Sequence, residues 1–169
     1  FDTPPRRHSA ATALILVAVI VVASTIAVAF KESSLWAIER LGHGRAATDA
    51  ASNESPLFVG TLVAGAVLAA AALGHHVTRR WPGRSGLDAI AATARGEERR
   101  ISFRATTIRS TGTWIMTAGL VSVGRESAIL EAGGAVGSSL GRRFGGRGAA
   151  MATAGIAAAF ATAYHAPIA

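Results

Sequence analysis

Long uncharged runs dominate this sequence and restrict the folds that the chain can adopt. The first run, residues 10–30, contains 21 consecutive uncharged residues. As a helix with a rise of about 1.5 Å per residue it would span roughly 31 Å, close to the hydrocarbon thickness of a bilayer. Residues 55–74 form a second uncharged run of 20 residues, and residues 148–164 a third of 17. These runs predict an all-α membrane protein that crosses the bilayer several times.

The composition agrees with a membrane protein. Half of the residues are hydrophobic and 16% are charged, whereas soluble domains average about 25% charged residues. Two further apolar stretches, residues 110–123 and 132–141, are short and interrupted by glycine. Broken segments at membrane depth need protein partners for their backbone polar groups, as in transporters. We therefore expect tilted and partial helices around a protein-lined interior, at about residues 9–40, 56–80, 86–95, 103–122, 127–143 and 149–164.

The net charge of +7 would suit a nucleic-acid partner, but the distribution of the arginines argues against one. Arginines flank the apolar runs instead of covering one soluble face. The largest basic stretch comprises Arg95, Arg99, Arg100, Arg104 and Arg109. We interpret it as a solvated flank of the membrane, so that the N-terminus is cytoplasmic and the loop at residues 39–54 is outside. The chain has no cysteine, and its histidines show no metal-ligand spacing, which leaves no candidate metal site.

The segment Gly124-Arg125-Glu126-Ser127 places two ionisable side chains between apolar stretches. A charge at bilayer depth costs about 2.5–3.5 kcal/mol on insertion scales, and such residues mostly face a water-filled path or a bound ion. Glu126 is therefore the first candidate functional residue. It immediately precedes the fifth predicted helix. The alternative is that Glu126 only caps this helix or pairs with Arg125.

Three segments of the chain resemble parts of one known family. Residues 124–137, GRESAILEAGGAVG, resemble the GREGP-type signature of the CLC family of chloride channels and chloride/proton antiporters. The closing stretch ATAGIAAAFATAYHAPIA resembles its Ala/Gly-rich helix ending in Asn-Ala-Pro-Leu-Ala, and residues 83–87, GRSGL, resemble its Gly-Ser-Gly-Ile-Pro segment. The segments occur in family order. The resemblance covers essentially residues 1–169, and it implies the N-terminal half of a CLC-type transmembrane domain, a fragment truncated at both ends.

The resemblance implies a fold and a function. The fold is the first half of an inverted repeat, whose broken helices point their N-termini at anions near the membrane centre. The function is passive or proton-coupled transport of chloride, or a similar small anion, across the cell membrane, with Glu126 as the gating and proton-accepting residue. The implied anion-binding residues are Ser85, Gly86, Leu87, Arg125, Glu126, Ser127 and Ala128. The implied partners are chloride, protons and the lipid bilayer, with a homodimer at full length, no cofactor besides the transported chloride and no enzymatic activity.

Departures from the family pattern leave some roles open. Arg84 replaces a glycine, and Asp88 stands where the family has proline. Ser85 and Asp88 therefore also fit a capping box, and an acid near the site should weaken anion binding, so that the preferred anion stays open. Ser127-Ala128 replaces Gly-Pro, but serine begins a helix well. For Glu131, where the family often has glutamine, a protonated or hydrogen-bonded packing residue is favoured over a second proton site.

Glycine recurs at every fourth position of the fifth predicted helix, at Gly133, Gly137, Gly141 and Gly145. Such a stripe lets another backbone approach closely, and we interpret it as a packing surface without a ligand. Two other function classes remain: a different secondary transporter with broken helices, and a degenerate membrane segment that transports nothing. The family's central tyrosine and inner glutamate belong to the second half, so this half does not distinguish a channel from an antiporter.

Overall fold

The computed structural model describes residues 7–41, 54–95, 101–144 and 148–164, and the regular secondary structure of these ranges is all α-helix, without strands. The helices of these ranges are α1 (Arg7–Leu41), α2 (Pro56–Arg80), α3 (Gly86–Ala94), α4 (Phe103–Ala118), α5 (Glu126–Arg143) and α6 (Gly148–Ala163). The all-α prediction is confirmed, including the order of the helices. The predicted turn at residues 96–100, together with Gly145, His165 and Pro167, lies outside the described residues.

The two longest helices have the length and composition of membrane spans. Ala10–Leu41 and Pro56–Arg80 are both long and apolar enough to cross a bilayer, whereas Gly148–Ala163 is apolar but shorter. The bulky apolar side chains of the two long helices face outward: Leu14 is 73% exposed and Leu57 is 81% exposed. Large exposed apolar faces of this kind are typical of surfaces that meet lipid or another apolar partner.

Local signals at both ends define α2. The Ser55 hydroxyl accepts a hydrogen bond from the Phe58 amide at 3.2 Å, and Pro56 occupies the first turn, where its missing N–H costs nothing. At the other end the Trp81 amide donates to the Val77 carbonyl at 2.8 Å. The structure thus gives α2 the predicted bounds. This helix packs against α4.

Helix α4 ends at Ala118, four residues earlier than the sequence predicts. The Val121 amide donates to the Met116 carbonyl at 2.9 Å and the Leu120 amide to the Thr117 carbonyl at 3.2 Å, which is the Schellman pattern of a helix end. Leu120 has a φ of 62°, a conformation that usually requires glycine. The glycine lies one position earlier because a side chain at Gly119 would overlap Ala66 of α2. Packing against α2 therefore requires glycine at position 119, so that Leu120, one position later, adopts the strained conformation.

Helices α5 and α6 pack with their backbones in direct contact. An added side chain at Gly133 would overlap the Gly155 carbonyl oxygen, and one at Gly137 would overlap the Met151 carbonyl. The packing interpretation of the glycine stripe is confirmed for these two positions. Helix α1 covers this pair, with Ala27 packed among Ile129 and Ala159. The α5–α6 pair is thus the centre of the bundle, and it holds the beginning of α5 in place.

Candidate functional site

Glu126 is the first residue of α5, one position earlier than predicted. Arg125 is the N-cap, and its side chain makes no capping hydrogen bond. The first backbone bond of this end runs from the Ile129 amide to the Arg125 carbonyl at 3.2 Å. The amides of Glu126, Ser127 and Ala128 precede that bond and have no acceptor within the helix. This end of α5 therefore presents free N–H groups and the positive pole of the helix dipole.

The Glu126 carboxylate folds back toward Gly124. A β-carbon built on Gly124 would lie 3.2 Å from Glu126 Oε2, and the Glu126 side chain is half-buried. Within the part of the chain that the structure describes, this carboxylate forms no hydrogen bond and no ion pair, with Arg125 or any other residue. Neither the cap nor the Arg125 pair considered for Glu126 is formed. An acid with no described partner thus lies at a helix end that favours anions.

Ser85 is the N-cap of α3, with extended backbone angles of φ −143° and ψ 160°. Its hydroxyl is exposed and makes no capping hydrogen bond, so the capping box between Ser85 and Asp88 is not formed. Asp88 is exposed in the first turn of α3. Leu87 lies in the same turn, and Gly86 adopts a φ of 58°, which a residue with a side chain rarely tolerates. The Ser85 hydroxyl therefore remains available to a ligand.

Glu131 lies buried where three helices meet, at 3% exposure. Its Oε2 accepts a hydrogen bond from the Gly86 amide of α3 at 2.7 Å, and its Oε1 accepts one from Thr106 Oγ1 of α4 at 2.8 Å. Arg109 of α4 donates to Oε1 from Nε at 3.1 Å and also from Nη2, which makes an ion pair. The prediction of a hydrogen-bonded packing residue is confirmed. Glu131 joins α3, α4 and α5 through a single carboxylate.

Arg109 corrects the interpretation of the basic stretch as a solvated flank. It lies within α4 with a side chain only 22% exposed, and it pairs with Glu131. A sequence signal for this inward face exists, because Thr106, Arg109 and Ser110 follow the i, i+3, i+4 spacing of one helix face. Ser110 Oγ also points toward α5, where it donates to the Ala128 carbonyl at 3.4 Å. The sequence reasoning missed this polar face.

A basic cavity of about 770 Å³ opens between the end of α2, the beginning of α4 and the end of α5. Its arginines are Arg80, Arg84, Arg104, Arg109 and Arg142. No aspartate or glutamate lines it among the residues that the structure describes. Arg142 and Glu126 lie near opposite ends of α5, roughly 24 Å apart at the usual helical rise. The molecule thus favours anions at both ends of this helix.

Nothing in the described ranges groups three histidine or acidic side chains in a way that could hold a metal ion. The exposed His76 instead contacts Trp81 edge-on, with ring centroids 5.9 Å apart. The site therefore consists of helix amides, hydroxyl groups, arginines and two carboxylates. Glu131 is paired, whereas Glu126 has no described partner.

A comparison with known protein families found a match. The sequence model of the family described as "Voltage gated chloride channel" matches residues 65–169, which is more than half of the chain. The match begins within α2 and includes every residue of the site. Neither the curated proteins nor the solved structures include a significant match.

Proposed function

Because the chain belongs to the voltage-gated chloride channel family, we propose that it supplies one half of an anion pathway in which Glu126 is the gate and the proton acceptor. Proteins of this family transport chloride across membranes, and the two long apolar helices are consistent with that location. The remaining half of the pathway would come from the second part of an inverted repeat.

The observation that carries this proposal is the Glu126 carboxylate at the N-terminus of α5, which has no partner among the residues that the structure describes. Ionised carboxylates inside proteins normally pair or accept hydrogen bonds, because leaving them unpaired is costly. Free amides at a helix N-terminus favour a negative group without a full cation that would trap it. Glu126 and an incoming chloride therefore compete for the same position, beside the amides of Ser127 and Ala128.

Uptake and release of a proton by Glu126 determine whether the carboxylate or chloride occupies the position. The ionised Glu126 carboxylate occupies the position and excludes chloride. When it takes up one proton it loses its charge, and it no longer competes electrostatically for the helix end. Chloride then binds, and release of the proton restores the carboxylate and expels the anion. The ionised carboxylate and an anion thus alternate at a single position, which couples anion binding to the protonation of Glu126, and a channel results where the neutral form persists while anions pass.

The other end of the path is supported by Ser85 and the basic cavity. The Ser85 hydroxyl makes no capping bond and can donate to an anion. The arginines of the cavity other than Arg109, whose charge Glu131 balances, raise the local anion concentration. Since basic residues favour the cytoplasmic side, this end and the N-terminus are proposed to be cytoplasmic. Family membership further supports a homodimer of the full-length protein with one pathway in each subunit.

The test is transport by the full-length protein reconstituted in liposomes, with anion flux and accompanying proton movement measured together. Glu126→Gln imitates the protonated acid at nearly constant shape. We expect it to abolish proton movement while anions still pass. Unchanged flux and unchanged proton movement in both Glu126→Gln and Glu126→Ala would refute the gating role.

A matched control is Glu32→Gln, which makes the same chemical change at an exposed position of α1. It should leave anion flux and proton movement at the wild-type values. A loss in this control equal to the loss in Glu126→Gln would mean that the loss reflects general damage to the protein.

A further inference from the structure

The N-terminus of α3 already holds a negative group that comes from α5. The Gly86 amide donates to Glu131 Oε2 at 2.7 Å, across 45 residues of sequence. The neighbouring Ser85 hydroxyl makes no capping hydrogen bond. A chloride ion at Ser85 would therefore find the next amide of the helix engaged by a carboxylate, which differs from the open amides at the beginning of α5.

This carboxylate is fixed in place. Both oxygens accept hydrogen bonds, from Gly86, Thr106 and two nitrogens of Arg109, and the residue is 3% exposed. Withdrawing it would leave the Arg109 charge unpaired in a largely buried position, which is strongly unfavourable. Glu131 thus differs from Glu126, whose carboxylate has no described partner. Glu126 is free to exchange with an anion, whereas Glu131 stays bound to its donors.

We propose that Glu131 sets the anion affinity of the inner end of the pathway, as a resident anion that engages the Gly86 amide and cancels the charge of Arg109. The inference rests on the proposed function. Its physical basis is that conduction requires sites that bind an anion strongly enough to admit it and weakly enough to release it. Without Glu131, Arg109 and the free α3 amide would together hold an anion beside Ser85. With Glu131, the net charge of the pair is zero and the site stays weak.

The experiment measures chloride affinity by calorimetric titration of the purified full-length protein, for three variants. Glu131→Gln removes the negative charge and keeps the shape, and it should tighten chloride binding at least about tenfold. Arg109→Gln leaves the carboxylate uncompensated and should weaken binding. The double variant removes both charges and should fall between the two single variants. A purely structural role would not produce shifts of opposite sign.

The variant Ser85→Ala tests whether the gain in chloride affinity arises at Ser85. Combined with Glu131→Gln, it should remove most of the gain in chloride affinity, because the gained site includes the Ser85 hydroxyl. Folding of each variant is checked by thermal unfolding in detergent. If Glu131→Gln does not fold, the double variant replaces it and should bind chloride more tightly than Arg109→Gln; equal affinity in those two would overturn the proposal.

The two proposals fail in different ways. A wild-type protein that neither binds nor transports chloride overturns both. A wild-type protein that transports chloride, with Glu131→Gln folded and unchanged or weaker in affinity, overturns the resident-anion role alone and leaves the gate at Glu126 standing.

Discussion

Gly137 of α5 lies against the carbonyl of Met151 in α6, so closely that no side chain fits between the two helices. The contact brings two backbones together and is repeated one turn away, where Gly133 meets Gly155. Backbone contact of this kind fixes both the distance and the rotation of α5. Since Glu126 begins α5 and Glu131 lies in its second turn, this packing also determines where both carboxylates lie.

Gly137→Ala should lower stability by about 3 kcal/mol, at the upper end of the usual cost of overpacking, because the obstacle is a backbone carbonyl that cannot turn aside. Gly65→Ala is the control, since an added β-carbon there meets nothing within 4 Å. It should be neutral or stabilising, as alanine favours a helix. Thermal unfolding of the full-length protein in detergent measures both, and equal melting temperatures for the two variants would contradict the packing.

Glu131→Ala should cost about 3–5 kcal/mol of stability, because it leaves Arg109 without its counter-charge in a largely buried position. Arg109→Ala should lower stability by a similar amount. The double variant should lose clearly less than the sum of the two, as expected for residues in one network. The measurement is a double-mutant cycle from denaturant unfolding, and strictly additive losses would show that the pair is not coupled.

Leu120→Val should destabilise the protein by about 1 kcal/mol more than Leu62→Val. Leu120 has a φ of 62°, where a β-branched side chain is especially unfavourable. Leu62 is also half-buried but lies inside α2 with ordinary helical geometry. Comparing the melting temperatures of the two variants separates backbone strain from the loss of a methylene group. Equal losses would argue against a strained end of α4.

Ser85→Ala should weaken chloride binding by about threefold to tenfold, the worth of one hydrogen bond, and should leave stability unchanged. Ser55→Ala is the matched control. The Ser55 hydroxyl accepts a bond from the Phe58 amide at 3.2 Å and lies outside the basic cavity, so its loss should lower stability by about 1 kcal/mol without changing chloride affinity. Calorimetric titration and thermal unfolding of both variants test the assignment, and the reverse pattern would refute it.

Arg104→Gln should slow anion uptake at low ionic strength, and the difference from the wild type should shrink as salt is raised. The reason is that Arg104 lines the basic cavity, and attraction between charges is screened by salt. Arg79→Gln removes the same charge from an exposed position outside the cavity lining. Initial rates of uptake into liposomes at several salt concentrations distinguish the two; equal slowing by both variants would point to general surface charge.

Much of the fold was predictable because its signals are local. Ser55 and Pro56 mark the beginning of α2, and the uncharged run that follows determines its length. The acid at Glu126 was recognisable because a charge between apolar stretches is costly wherever the chain places it. The end of α4 was not predictable in the same way, since the glycine that normally marks a helix end is used at Gly119 to admit Ala66.

The sequence by itself determined the helical content, the apolar spans, the glycine stripe and the identity of the candidate acids, because each depends on composition or on spacing within a single helix. Only the tertiary structure decided that Glu131 is engaged by Gly86, Thr106 and Arg109 while Glu126 has no described partner. The two acids stand five residues apart on one helix, and sequence spacing does not reveal which of them meets a counter-charge. That distinction depends on how α3 and α4 pack against α5, since a carboxylate is fixed or free according to the donors that other helices bring to it.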